Sequence, residues 1–189
     1  MTKEIRSGNP VEIRDDSGSI KVSGYAAVFN SETNIGGYFR EMIAPGAFSE
    51  AVTRDDVMFL INHDGLPLAR TKSGTLTLRE DETGLYMEAE LDASDPEVKS
   101  IVPKMKRGDL DKMSFAFRAT SETWDETGKV PMRTINKADL FDVSIVTYPA
   151  YQDTSIGLRS LQDHQKTKQS SAPISARMRM KLALWLATK

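Results

Sequence analysis

The sequence predicts a mainly β protein with a few helices, an α+β fold built as a closed or semi-closed antiparallel β-barrel flanked by helices. Three observations predict it. Apolar residues alternate in short runs separated by turn residues; only two stretches of the body have helical character; and a chain of many short strands hides its exposed edges best by closing on itself.

In chain order, Ile20–Phe29 is the first such run, entered from the turn-like Asp15-Asp16-Ser17-Gly18. Pro45–Ala51 reads as a short helix, and Asp56–His63 as an apolar strand ending in a histidine. Gly74–Arg79 and Leu85–Leu91 alternate cleanly around Glu80–Gly84 and predict a hairpin. Asp95–Met105 is the longest helix expected in the body: Asp95 is suited to cap it, Pro96 to open it and Gly108 to end it. Lys112–Arg118 and Asp139–Val146 are two further strands.

Composition divides the 189 residues. From Arg159 onward there are seven basic residues and one acid, a net charge of +6, whereas residues 1–158 hold 18 basic and 26 acidic residues, a net of −8. The expected organisation is an N-terminal segment over 1–19 with freedom to move, a body over 20–158, a polar linker over 159–175 and a basic helical tail over 176–189. The linker is exposed, polar and suited to proteolysis. The tail suits docking to an acidic or apolar partner.

Composition also excludes chemistry. There is no cysteine, hence no thiolate nucleophile, disulfide or Cys-based metal site, and two histidines are too few for a three-His zinc site. No Walker A or Gly-x-Gly-x-x-Gly pattern supports a nucleotide cofactor. No cofactor or metal is expected. The acidic body argues against nucleic acid as a partner. No apolar run approaches the roughly 20 residues of a membrane span, and the first residues lack a signal-peptide core.

His63, the body's lone histidine, is the candidate general base, held at the end of a rigid strand. Without cysteine its nucleophile must be Ser, Thr or Lys. Ser114 lies inside an apolar strand whose Met113, Phe115 and Phe117 share one face, leaving Ser114, Ala116 and Arg118 on the other. An acid is needed to orient the histidine. Asp142 is the first candidate, because a carboxylate in mid-strand is costly unless partnered, and Asp139 is the second. Alternation puts Asp142 and Ser144 on one face and Phe141, Val143 and Ile145 on the other, so Ser144 is a rival nucleophile. Arg118 is a candidate aid to oxyanion stabilisation beside backbone N–H groups. There is no Gly-x-Ser-x-Gly elbow, against an α/β-hydrolase.

Several segments, in order, resemble the prohead (capsid-maturation) proteases of tailed bacteriophages. They are Gly24–Asn30, Glu41–Phe48, Leu60–Asp64, Thr75–Leu78 with Gly84-Leu85, Lys112–Phe117 and Leu140–Tyr151, which together span about residues 20–158. The resemblance implies a serine endopeptidase with a fold related to herpesvirus assemblin. By position, His63 matches the family's Asn-His histidine, Ser114 the serine of its Met-Ser-Phe strand, and Asp142 the acid before Val-Ser. Ala116 stands where the family often has Gly. The implied substrates are scaffold protein or the scaffolding segment of the major capsid protein, and the protease itself, inside the assembling prohead in the host cytoplasm. Related viral proteases often dimerise, so a homodimer is one expected state. The competing readings are a non-enzymatic capsid assembly or scaffolding module and a small esterase.

Overall fold

The computed structural model describes residues 3–16, 19–147 and 154–171. The strands are β1 (Glu4–Asp16), β2 (Ser19–Val28), β3 (Thr33–Ile35), β4 (Phe39–Ile43), β5 (Met58–Ile61), β6 (Asp64–Arg70), β7 (Leu76–Glu80), β8 (Gly84–Asp92), β9 (Lys112–Asp125) and β10 (Met132–Val146). The helices are α1 (Ala51–Arg54), α2 (Pro96–Arg107) and α3 (Thr154–Ser171). The chain divides into two compact units, residues 1–154 and 155–189.

The strands run β3-β4-β10-β9-β1-β2-β8-β7, with β5 pairing β10 and β6. Most pairs are antiparallel, but β4 and β5 run parallel to the two ends of β10, so the sheet is mixed. It is also not closed, which corrects the barrel and its all-antiparallel pairing. The ends of the order are a three-residue strand, β3, and the five-residue β7 with its polar Thr77, Arg79 and Glu80. Short, charged edges limit strand pairing without closure.

Local chemistry explains the elements that the sequence foretells. The β7–β8 hairpin pairs Leu76 with Ala89 and Leu78 with Met87, all four buried. Gly84 opens β8 where a Cβ would lie 2.0 Å from the Ala27 carbonyl oxygen, so only glycine fits. The Asp95 side chain accepts from Glu97 N at the start of α2, and Gly108, at φ 81°, ends it in the left-handed region. The short helix forms at Ala51–Arg54, a few residues later than expected, after turns over 45–50.

Two segments differ from expectation. Residues 4–16 are not a loose N-terminal segment but β1, in the middle of the sheet: its first half pairs with β9 and, past an irregularity at Ser7–Pro10, its second half pairs with β2. Residues 159–171, expected as linker, belong to helix α3; Gln and Lys favour helix, and the first proline comes only at Pro173. The expected basic tail over 176–189 and the last part of the linker lie outside the described residues.

Besides its pairing with β9 and β2, the first half of β1 is fixed by charge. Glu4, Arg6, Glu41 and Arg133 are all nearly inaccessible to solvent. Arg6 donates to both carboxylate oxygens of Glu41, at 2.5 and 2.9 Å, and to Glu4 at 2.8 Å. Arg133 donates to Glu4 at 2.7 and 2.8 Å, to Glu41 at 2.8 Å and to Glu122 at 2.5 Å. The cluster joins β1, β4, β9 and β10. Burial works to raise the Glu4 carboxyl, but Arg133 and Arg6 outweigh it and hold the group below the ordinary range. Replacing Arg133 with Ala leaves two buried carboxylates short of a partner and is expected to cost about 3–5 kcal/mol, read as a lower urea midpoint at constant m-value.

Candidate active site

The core face of β9 is apolar: Met113, Phe115 and Phe117 are essentially inaccessible, and Phe115 and Phe117 stack with ring centroids 5.1 Å apart. Alternation therefore turns Ser114 to the other face. On β10 the alternation is interrupted. Leu140 pairs with Phe117 but Asp142 pairs with Ala116, so Phe141 is an extra residue, a β-bulge. Before the bulge the core residues are Ala138 and Leu140; after it they are Val143 and Ile145. The expected face of Phe141, Val143 and Ile145 is corrected accordingly, since Phe141 is only partly buried and leaves the core. Without the bulge Asp142 would point into hydrocarbon. With it, Asp142 and Ser144 look the same way as Ser114.

His63 arrives from the parallel neighbour of β10. Strand β5 pairs Leu60 with Ser144 and then turns within two residues, Asn62 and His63, before Asp64 pairs back to Ile61. Both turn residues have positive φ, 51° and 61°. This is the pattern of a type I′ hairpin turn, whose second position favours glycine. A histidine there is strained by about 1–3 kcal/mol. Asn62 holds the turn down: its N–H donates to Ile145 O (2.9 Å) and its side-chain oxygen accepts from Thr147 N (3.0 Å).

The predicted residues meet. His63 Nε2 lies 2.7 Å from Ser114 Oγ, and His63 Nδ1 contacts Asp142 Oδ1. With Nδ1–H donating to the ionised carboxylate, which only accepts, the neutral ring keeps Nε2 free to accept the Ser114 proton. Ser114 is buried, and its hydroxyl is also 2.8 Å from the Arg6 carbonyl oxygen, a second acceptor for the same proton. The Asp142 side chain is 2 % exposed and the His63 side chain 10 %. Burial works to raise the Asp142 carboxyl, but the hydrogen bonds and charges of His63 and Lys3 prevail and hold it below the ordinary carboxylate range.

The other candidates lie elsewhere. Asp139 binds Arg54 and Arg118, each at 2.5 Å, and does not face His63. Arg118 stands four residues along β9 from Ser114, about 13 Å of extended chain, with its guanidinium on Asp139. Ser144 donates to Asp142 Oδ1 (2.9 Å) and sits 3.2 Å from His63 Nδ1, at the acid end of the array. Sequence reading missed Lys3, whose ammonium is 2.8 Å from Asp142 Oδ2. No signal in the first residues pointed to it, because the segment carrying it did not read as a strand. Among the described residues no cluster of His, Asp and Glu is arranged to hold a metal ion.

Residues 9–170 match the family of caudovirus prohead serine proteases. The chain belongs to that family. It is 30% identical over 151 residues to the prohead protease of Enterobacteria phage HK97, covering 76% of this chain and 62% of that protein. It is 28% identical over 164 residues to the prohead protease of Escherichia phage T5, covering 84% and 72%. The chain thus spans less than two thirds of the HK97 protein. Its fold is similar to that of the bacteriophage T4 capsid assembly protease, with a TM-score of 0.52 at 15% identity over 78% of this chain and 98% of the T4 chain.

Two outcomes test the geometry. Asn62→Ala loses its bonds to Thr147 and forces alanine to positive φ, so a loss of about 1–3 kcal/mol is expected by chemical denaturation. The Asp142 carboxyl has a lowered native pKa, so its contribution is complete above the unfolded carboxylate value of about 4 and is lost as pH falls below it. Asp142→Asn should therefore unfold less steeply with acid in that window than wild type does.

Proposed function

We propose that the protein is a serine endopeptidase of capsid maturation that works through Ser114, His63 and Asp142. The observation that carries the reading is the 2.7 Å approach of His63 Nε2 to Ser114 Oγ with a carboxylate on the other ring nitrogen. His63 takes the Ser114 proton as Oγ attacks the scissile peptide carbonyl. Asp142 stabilises the imidazolium, which then protonates the leaving amine. A water deprotonated by His63 attacks the acyl-enzyme, releasing the acid and restoring Ser114. Backbone N–H groups supply the oxyanion site, since Arg118 is engaged by Asp139.

Membership of the prohead protease family supports the substrate class. The substrates are the phage major capsid protein, through its scaffolding segment, or a separate scaffold protein, and the protease itself, inside the prohead in the host cytoplasm. A homodimer and kinship with the assemblin fold belong to the same proposal. Self-cleavage in α3 requires that helix to unwind first, which places a barrier on processing there.

The test compares wild type and Ser114→Ala, each co-expressed with the phage's major capsid protein, by intact mass and by labelling with a fluorophosphonate. Wild type is expected to shorten the capsid protein and to take up the probe, with both lost in Ser114→Ala. Equal shortening by the two proteins overturns Ser114 as nucleophile. Labelling without peptide cleavage makes the protein an esterase, and neither activity makes it an assembly module.

A further inference from the structure

The N-terminal strand reaches the site at two points. The Arg6 carbonyl accepts from Ser114, and the Lys3 ammonium contacts the Asp142 oxygen that does not face His63. Alternation fixes this division: Glu4 and Arg6 enter the buried ion cluster, while Lys3, on the opposite face, is carried over to Asp142. The Lys3 ammonium also lies 5.8 Å from the ring centroid of Phe141, the residue that the bulge turns out of the core. Its side chain is 46 % exposed, against 2 % for Asp142, so Lys3 joins a buried carboxylate to the solvent edge of the site.

Asp142 has two oxygens and three donors. Oδ1 takes His63 and Ser144; Oδ2 takes Lys3. Without Lys3, Oδ2 has no other protein donor among the described contacts, and the carboxylate is held against rotation about χ2 only at Oδ1, by His63 and Ser144. The other charged groups nearby are already paired: Asp139, three residues earlier on β10, with Arg118 of β9 and Arg54 of α1.

We propose that Lys3 is a positioning residue of the site, which holds Asp142 in the rotamer that orients His63. The inference rests on the serine-hydrolase reading for its effect on activity, but not for its effect on the His63–Asp142 hydrogen bond. Because Lys3 stands one residue before the strand that the ion cluster anchors, the site is complete only when residues 3–7 lie in place against β9.

The experiment compares wild type, Lys3→Met and Lys3→Arg in two readouts. The first is the rate of fluorophosphonate labelling of Ser114 against pH. Lys3→Met is expected to label about tenfold more slowly, the size of one lost charge-assisted hydrogen bond, with its acid limb moved to higher pH, and Lys3→Arg to recover most of the rate. The second is the downfield proton resonance of the His63–Asp142 bond, recorded on the Ser114→Ala background. It should be sharp with Lys or Arg at position 3 and weakened by exchange with Met. A resonance unchanged in Lys3→Met overturns the proposal whatever the labelling shows. So does Lys3→Arg behaving like Lys3→Met, since the stem and not the charge would then matter. Labelling of Ser114→Ala at the wild-type rate counts against the hydrolase reading alone; the resonance still decides the role of Lys3.

Discussion

The pairing of β9 with β10 is the constraint on which the site depends. Paired residues in a ladder point to the same face, and here Ser144 is opposite Ser114 while Asp142 is opposite Ala116. The core side of β9 is locked by three large side chains, Met113, Phe115 and Phe117. A slip of one residue would turn the polar set into the apolar core and the aromatic set out of it. The apolar core therefore enforces the position of groups it never touches. Strand β5 then takes its own register from β10, and this sets where the His63 turn falls.

Much of this was legible in the sequence, for reasons that also mark the limits. The alternation of Lys112–Arg118 gave the faces of β9 correctly because that stretch has no bulge. The same rule applied to β10 put Phe141 with Val143, and failed at one residue because period-two reasoning assumes an unbroken ladder. Asp95, Pro96 and Gly108 announced α2 because capping is local chemistry. The N-terminal strand was unreadable: Gly8, Asn9, Pro10, Asp15 and Asp16 all have turn character, and what keeps the segment extended is pairing with β9 and β2, residues far away in sequence. That His63, Ser114 and Asp142 come together was expected from residue type and resemblance. Lys3 was not, because only the fold brings it to Asp142.

The ion cluster has the same character. Glu4, Glu41, Glu122 and Arg133 come from four strands, and each alone reads as a surface residue. Buried ion pairs of this kind seldom add net stability over hydrocarbon of equal volume. Their effect is on choice: an apolar plug tolerates several arrangements, whereas forked guanidinium–carboxylate bonds accept few. We read the cluster as specifying which residues of β1 lie against β9, and so which carbonyl faces Ser114.

The turn at Asn62–His63 has an evolutionary consequence. Its backbone suits Asn followed by Gly, and position 63 instead carries a bulky imidazole at positive φ. Folding and chemistry therefore pull this position in opposite directions. A population of variants selected only for remaining folded has a route to relief in glycine at 63, and every chain that takes it keeps the architecture while losing the imidazole proposed as base. Well-folded, silent descendants are the form in which this fold should decay once the activity proposed for it is no longer selected.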